Sequence, residues 1–239
     1  MTNQAFIVLS LIAMAVLGGC IGFTGCLNGS GHIATENRSL AGFDGIDLLS
    51  SANLYITQGA EQPIRIEADD NILPALRTTF RSGVLVIDTD GCIVPTRTVN
   101  IYVSAPLFSS LAVSGSGNIV GQSLVSSDSL ALKVSGSGSM DLDMNCRNVD
   151  TSVSGSGSML LAGQASNHSS VISGSGNIRS YDLSTRRSSI TISGSGMDEA
   201  SVSDELDVRI SGSGDVYYKG NPGVMQQSIS GSGGLHKTG

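Results

Sequence analysis

From residue 43 onward apolar and polar residues alternate in short runs. Leu130, Leu132 and Val134 lead into a Ser-Gly-Ser-Gly tetrapeptide, and Met140, Leu142 and Met144 lead out of it with Asp141 and Asp143 between them. A period of two sends successive side chains to opposite faces of a strand, so these runs are strands with one buried face. The same alternation, without the tetrapeptide, marks residues 53–57, 64–68, 84–88 and 99–103 as strands. Residues 69–80 lack it and predict one short helix, with Asp70 or Asn71 as cap and Pro74 near its first turn.

The tetrapeptide occurs seven times, starting at Ser114, Ser135, Ser154, Ser173, Ser193, Ser211 and Ser230, in steps of 21, 19, 19, 20, 18 and 19 residues. A repeat near 20 residues is the signature of a solenoid. Taken singly, such a tetrapeptide reads as a flexible linker. Its flanks exclude that here. A β-branched residue precedes every copy (Val113, Val134, Val153, Ile172, Ile192, Ile210, Ile229), and an apolar residue stands five places after the first Ser in six copies (Ile119, Met140, Met159, Ile178, Val216, Leu235). Asp198 is the exception.

Each repeat therefore offers two strands, the Ser-Gly-Ser-Gly corner, and a second polar corner such as residues 145–148 or 163–167. Glycine permits the positive φ and close backbone approach of a sharp corner. That role falls to Gly115, Gly117, Gly136, Gly138, Gly155, Gly157, Gly174, Gly176, Gly194, Gly196, Gly212, Gly214, Gly231 and Gly233. The expected fold is all-β, a single-stranded parallel β-helix with 19–20 residues per coil. Irregular coils fill residues 42–110, repeat coils fill 111–239, and the short helix covers the N-terminal end.

Composition narrows the picture. With 31 glycines, 4% aromatic residues and no Trp, a thin aliphatic core is expected. A formal charge of −7 supplies no basic stripe, which argues against a nucleic-acid partner. Residues 6–21 form an apolar run shorter than the roughly 20 residues of a bilayer span, as in a secretory signal. Leu17-Gly18-Gly19-Cys20 then resembles the lipobox of bacterial lipoproteins, which implies that Cys20 is diacylated and tethers the chain to a membrane. Residues 1–20 are thus read as signal segment and 21–41 as a flexible tether. Residues 1–6 carry no Lys or Arg, residues 23–26 are a poorer second match, and an uncleaved signal anchor is the alternative. Both routes export the chain.

Three further cysteines follow. Cys92 and Cys146 could pair in an oxidising compartment, but they stand 54 residues apart, and buried free thiols fit as well. The densest acidic candidates for catalysis are Asp141 with Asp143, and Asp204, Glu205 and Asp207. Alternation turns Asp141 and Asp143 outward, so a solvated face explains them better than an acid/base pair. Arg186-Arg187 likewise reads as surface. His32, His168 and His236 fall in the tether, a corner and the tail, without metal-ligand spacing. The position after each tetrapeptide reads Asn118, Ser139, Ser158, Asn177, Met197, Asp215 and Gly234, which is no carboxylate ladder for calcium. No catalytic, metal or cofactor residue is assigned. Asn28, Asn37 and Asn167 begin glycosylation sequons.

Gly42-Phe43-Asp44-Gly45-Ile46, Tyr55-Ile56-Thr57-Gln58-Gly59, Ile64-Arg65-Ile66-Glu67-Ala68-Asp69, Leu85-Val86-Ile87 and Ser114-Gly115-Ser116-Gly117-Asn118-Ile119 resemble the GIN-domain family, described as auto-transporter adhesin heads. The resemblance implies a right-handed parallel β-helix, related in shape to pectin lyases and hexapeptide acyltransferases without their catalytic residues, on exported proteins and lipoproteins. The expected function is a surface-exposed, membrane-anchored, non-enzymatic binding or scaffolding module, an adhesin for glycan or envelope protein. One alternative is a carbohydrate-active enzyme on the same scaffold. The other is an envelope protein assembling with itself through the solenoid ends. Charged side chains converging in a lateral groove favour the enzyme, flat Ser/Thr/Asn faces favour binding, and an uncapped apolar terminal coil favours assembly.

Overall fold

The computed structural model describes residues 25–239, so the signal segment and Cys20 lie outside the described residues. The first part of the chain forms β1 (Leu27–Asn28), β2 (Ile33–Arg38), β3 (Gly45–Leu48), β4 (Asn53–Gln58), β5 (Ile64–Asp69), β6 (Leu76–Arg81), β7 (Val84–Thr89), β8 (Ile93–Val94) and β9 (Asn100–Ala105). The repeats form β10 (Ser110–Gly115), β11 (Asn118–Gly121), β12 (Val125–Gly136), β13 (Ser139–Gly155), β14 (Ser158–Gly174), β15 (Asn177–Gly194), β16 (Met197–Gly212), β17 (Asp215–Lys219), β18 (Val224–Gly231) and β19 (Gly234–Lys237). Together they make a β-solenoid of about 7 turns.

Equal phase in sequence becomes equal height in space. Val134 pairs with Val153, Val153 with Ile172, Ile172 with Ile192 and Ile192 with Ile210, all in parallel register. The first four of these are fully buried, and each such side chain contributes about 1.5–3 kcal/mol by leaving water. Gly136 and Gly155 are direct partners, as stacked corners require.

The corner explains why both glycines recur. Gly155 has φ +111, and a Cβ there would sit 2.7 Å from the Gly136 carbonyl oxygen in the rung below. A Cβ on Gly157 would sit 2.3 Å from Val134 Cγ1, inside the core. In that space the backbone closes its own ladder, with Ser156 N donating to Gly136 O at 2.9 Å and Ser158 N to Gly138 O at 3.1 Å.

The second corner is a slip in the alternation. In β13, Met140, Leu142, Met144 and Cys146 are buried, then Arg147 and Asn148 both turn outward, and Val149, Thr151 and Val153 resume. The same pair of outward residues recurs as Ser166 and Asn167, Arg186 and Arg187, and Asp204 and Glu205.

The N-terminal end departs from the sequence reading. Residues 69–80 are not a helix: a single 3-10 turn, Leu73–Ala75, leads into β6. β6 then folds back on β7 through Ser82 (φ 49) and Gly83 (φ 87), a two-residue turn with positive φ at both central positions, which suits the twist of a hairpin. Thr78, Thr79 and Phe80 favour strand, and antiparallel pairing outweighs the Pro74 helix-start signal. The stretch read as a tether is also folded from residue 27, because β1 pairs with β8 and β2 runs antiparallel to β5. Its half-exposed side chains gave the sequence little apolar period.

The cysteine question closes differently from either arrangement offered for Cys92. Cys26 is bonded to Cys92, and Cys146 is free and buried, where loss of water pushes its thiol upward. β1 and β8 begin immediately after the two half-cystines, so the disulfide fixes their register.

Candidate functional site

The slip at the second corner builds a polar ladder on the outer surface. Ser129, Asn148, Asn167, Arg187 and Glu205 occupy one column, each a rung from the next. Asn167 Nδ2 donates to Asn148 Oδ1 at 2.8 Å, and Asn148 Nδ2 donates to Ser129 Oγ at 3.3 Å. The parallel column reads Asp150, Ser169, Ser189 and Asp207. Between them runs a groove of about 510 Å³, floored by Val149, His168 and Ser188. A second hollow of about 600 Å³ lies across the corner, with Asn145, Gln164, Ser184, Arg186 and Asn221 on its walls.

Four acids around the corner, Asp128, Asp204, Glu205 and Asp207, are paired with arginines. Arg147 meets Asp128 at 3.2 Å, Arg186 meets Asp204 at 2.9 Å, Arg187 meets Glu205 at 3.6 Å and Arg209 meets Asp207 at 2.7 Å. Arg186-Arg187 stands on the surface, as its sequence reading has it, and is the charge complement of the rung above. Hydrogen bonds from Ser203 and Arg186 hold the Asp204 carboxyl below its usual range, opposite to the shift a general acid needs. Asp141 and Asp143 are exposed on β13, as their alternation predicts.

Two residues behave in ways the sequence did not disclose. His168 is not part of the corner but the first inward residue after it; it is 2% exposed, with Nε2 3.0 Å from Thr151 Oγ1. Burial lowers its pKa to about 4, so the ring is neutral near pH 7. Asp198 does not break its column but sits buried within it, between Ile178 and Val216. Burial raises its pKa to about 7, and Ser170 Oγ donates to Oδ2. His168 Nδ1 and Asp198 Oδ1 find no partner among the described residues. The inward phase of both was readable. Their polarity alone argued for the surface.

On the opposite sheet, Asn100, Asn53, Asn118 and Ser139 form a second ladder, joined by Asn118 Nδ2 to Asn53 Oδ1 at 3.0 Å and Ser139 Oγ to Asn118 Oδ1 at 2.7 Å. Beside it Tyr55 stacks on Tyr102, ring centroids 5.0 Å apart, and the Arg65 guanidinium lies 3.8 Å over the Tyr102 ring. The missed signal was the shared Asn-aliphatic-Tyr of residues 53–55 and 100–102, which matches Asn118-Ile119 in phase. Among the described residues no group of three or more His, Cys, Asp or Glu is placed to hold a metal ion.

A family model described as "putative auto-transporter adhesin, head GIN domain" matches residues 42–222. Among solved structures, the chain is similar to a "putative adhesin" from Bacteroides fragilis, with 22% identity over 89% of this chain and 100% of that one and a TM-score of 0.85. It is also similar to a "putative adhesin" from Parabacteroides merdae, at 22% identity, 89% and 99% coverage and TM-score 0.72. A "putative lipid binding protein" from Parabacteroides distasonis gives 23% identity, 90% and 100% coverage and TM-score 0.73. At these identities the likeness establishes the fold. None of the curated proteins matches the chain.

Proposed function

Because the chain belongs to the GIN-domain adhesin-head family, we propose that it is a surface-exposed binding module, anchored at Cys20, that takes a hydroxyl-rich chain such as a glycan along the groove of the second corner. The observation that carries this is the Ser129, Asn148, Asn167 ladder. It repeats amide and hydroxyl groups at the strand spacing of about 4.8 Å along an open groove. An extended polymer would meet a hydroxyl or an amide at each of these three rungs.

The arrangement of acids supports binding over hydrolysis. A hydrolase acid must be held protonated within reach of its ligand. Asp198 has the raised pKa but is sealed in the core, whereas in the groove Glu205 and Asp207 are tied to arginines and Asp150 stands exposed on β13.

Glycan and envelope-protein screens on residues 25–239, which keep both half-cystines, test the proposal. Replacing Asn148 and Asn167 together by Ala should weaken binding about 10- to 100-fold, the loss of one to two net hydrogen bonds, with the unfolding midpoint nearly unchanged. Undiminished binding by that double variant would withdraw the groove. For the anchor, Cys20→Ala in the full chain should release the protein from membranes or leave its precursor uncleaved. Unaltered mass and partitioning would remove Cys20 from the account.

A further inference from the structure

Among the described residues β18 is bonded on one side only, to β16. All of its eight residues are exposed, among them Val224 at 50%, Met225 at 42% and Ile229 at 39%. Three inward columns end on this strand, where Leu206 is followed by Met225, Val208 by Gln227 and Ile210 by Ile229. The core is thus open along this edge. The rung itself is well formed, because its other strand, β19, is held by Tyr217 stacked on His236 and by Lys237 Nζ donating to Asn221 Oδ1 at 2.6 Å.

Sheet edges are normally guarded by charge, proline or a bulge. At the other end the edge strands carry Glu36 and Arg38 on β2 and Arg77 and Arg81 on β6. Residues 224–231 carry no charge and no proline.

We propose that β18 pairs antiparallel with β18 of a second copy about a two-fold axis. If apolar side chains are to remain inside a shared core, facing residues must have the same parity, which places the axis on a residue. On Gln227, Met225 faces the partner's Ile229, and the two Gln227 amides face each other, each able to donate and accept. Gln226 faces the partner's Ser228 on the outer side. A charge close to the axis would confront its own copy, so an uncharged strand is what self-pairing requires. The charged, antiparallel strands of the other end do not offer a matching edge, so the contact closes as a dimer and does not extend into a fibre.

The dimer places its two N-terminal ends outward, with β6 of each copy nine strand steps of roughly 4.8 Å from its β18. For molecules held at Cys20, which rests on the reading proposed above, the contact joins copies on two facing surfaces, so the adhesin recognises itself.

The test uses the full chain, in detergent and in lipid vesicles. Gln227→Cys should give a reducible dimer in detergent, and Thr191→Cys, on the same sheet away from the edge, should not. Vesicles carrying the unaltered chain should cluster, and Gln227→Lys should slow clustering at least tenfold while keeping its unfolding midpoint. A Gln227→Cys chain that stays monomeric overturns the interface. Dimers in detergent without clustering of loaded vesicles overturn the joining of surfaces. Dimers that persist while Cys20→Ala remains on vesicles overturn the anchor alone.

Discussion

Where the N-terminal end closes on β2 and β6, antiparallel to their neighbours and bearing arginines, the other end stops at β18, a strand in the same phase as every rung before it. The difference teaches what closing a solenoid requires. A rung that keeps the repeat always presents the edge that the next rung would take. Closure needs a segment that breaks the repeat, and such a segment gives up the stacked corners. The cap replaces them with the Cys26–Cys92 disulfide and with Asp69, which accepts from Thr96 N at 2.9 Å, Thr96 Oγ1 at 2.6 Å and Gly31 N at 2.8 Å. These bonds, that of the Thr96 hydroxyl first, hold the Asp69 carboxyl below its ordinary 3.8. Asp198, toward the bare end, receives one such bond and is shifted the other way.

The largest break in the comparison should come from Cys92→Ser. Opening a loop that spans 66 residues should cost about 4 kcal/mol by the chain-entropy argument. Denaturant unfolding gives the magnitude, and hydrogen exchange should place the loss in β1, β5 and β8 while β16 and β18 keep their rates. Equal loss at both ends would show that the cap and the last rung are one cooperative unit.

Val153→Ala, midway between the ends, should cost about 2–4 kcal/mol through lost transfer energy and a cavity in a thin core. A cost under about 1 kcal/mol in the same denaturation assay would contradict the stacked column.

The pH response separates the ends more finely. Asp198 is raised in the folded chain, so its cost grows as pH rises from about 4 to about 7. His168 is lowered, so its cost grows as pH falls from its ordinary 6.5 to about 4. Across that shared window the unfolded chain carries both charges and the folded chain neither, so the proton count is equal and the two slopes cancel. Asp198→Asn should uncover the histidine slope, with stability rising by roughly 3 kcal/mol between pH 4 and 6.5. His168→Gln should uncover the opposite slope. Asp69 is lowered, so its contribution is present above its ordinary pKa and is lost as pH falls below that, loosening the cap in acid. Denaturation midpoints at several pH values check all three. A flat profile for Asp198→Asn would mean that His168 is not held neutral.

Smallest of all, Asp141→Ala and Asp143→Ala should shift stability by less than about 0.5 kcal/mol and leave binding intact, since both are exposed. Were either to abolish a hydrolytic or lyase activity while folding normally, the binding reading would give way to the enzyme.

The repeat half was legible because one constraint, the close approach of stacked corners, writes glycine at the same phase in every coil. Val153 could be placed inward from its neighbours in sequence alone. The cap was not legible in that way. β3 and β4 precede β7 and β9 in the chain yet lie between them and the repeats, so Asn100, Asn53 and Asn118 are neighbours in an order that no sequence period records. β2 hides for a different reason, as an edge strand half in water. At the candidate site, the outward acids were read correctly, but the arginines that answer them come from another rung, and 18-residue partnerships such as Arg186 with Asp204 show only once the coil length is fixed in space.

The in-phase corners also make the molecule a ruler. Because Gly136 and Gly155 enter and leave their rungs at equivalent points, a gene segment encoding one coil of about 19 residues could be duplicated or deleted between them without disturbing the cap or the last strand. Each such event would change the distance between the two ends by one strand spacing, about 4.8 Å. Selection could therefore set how far this head extends independently of how it is closed and of what its last strand touches.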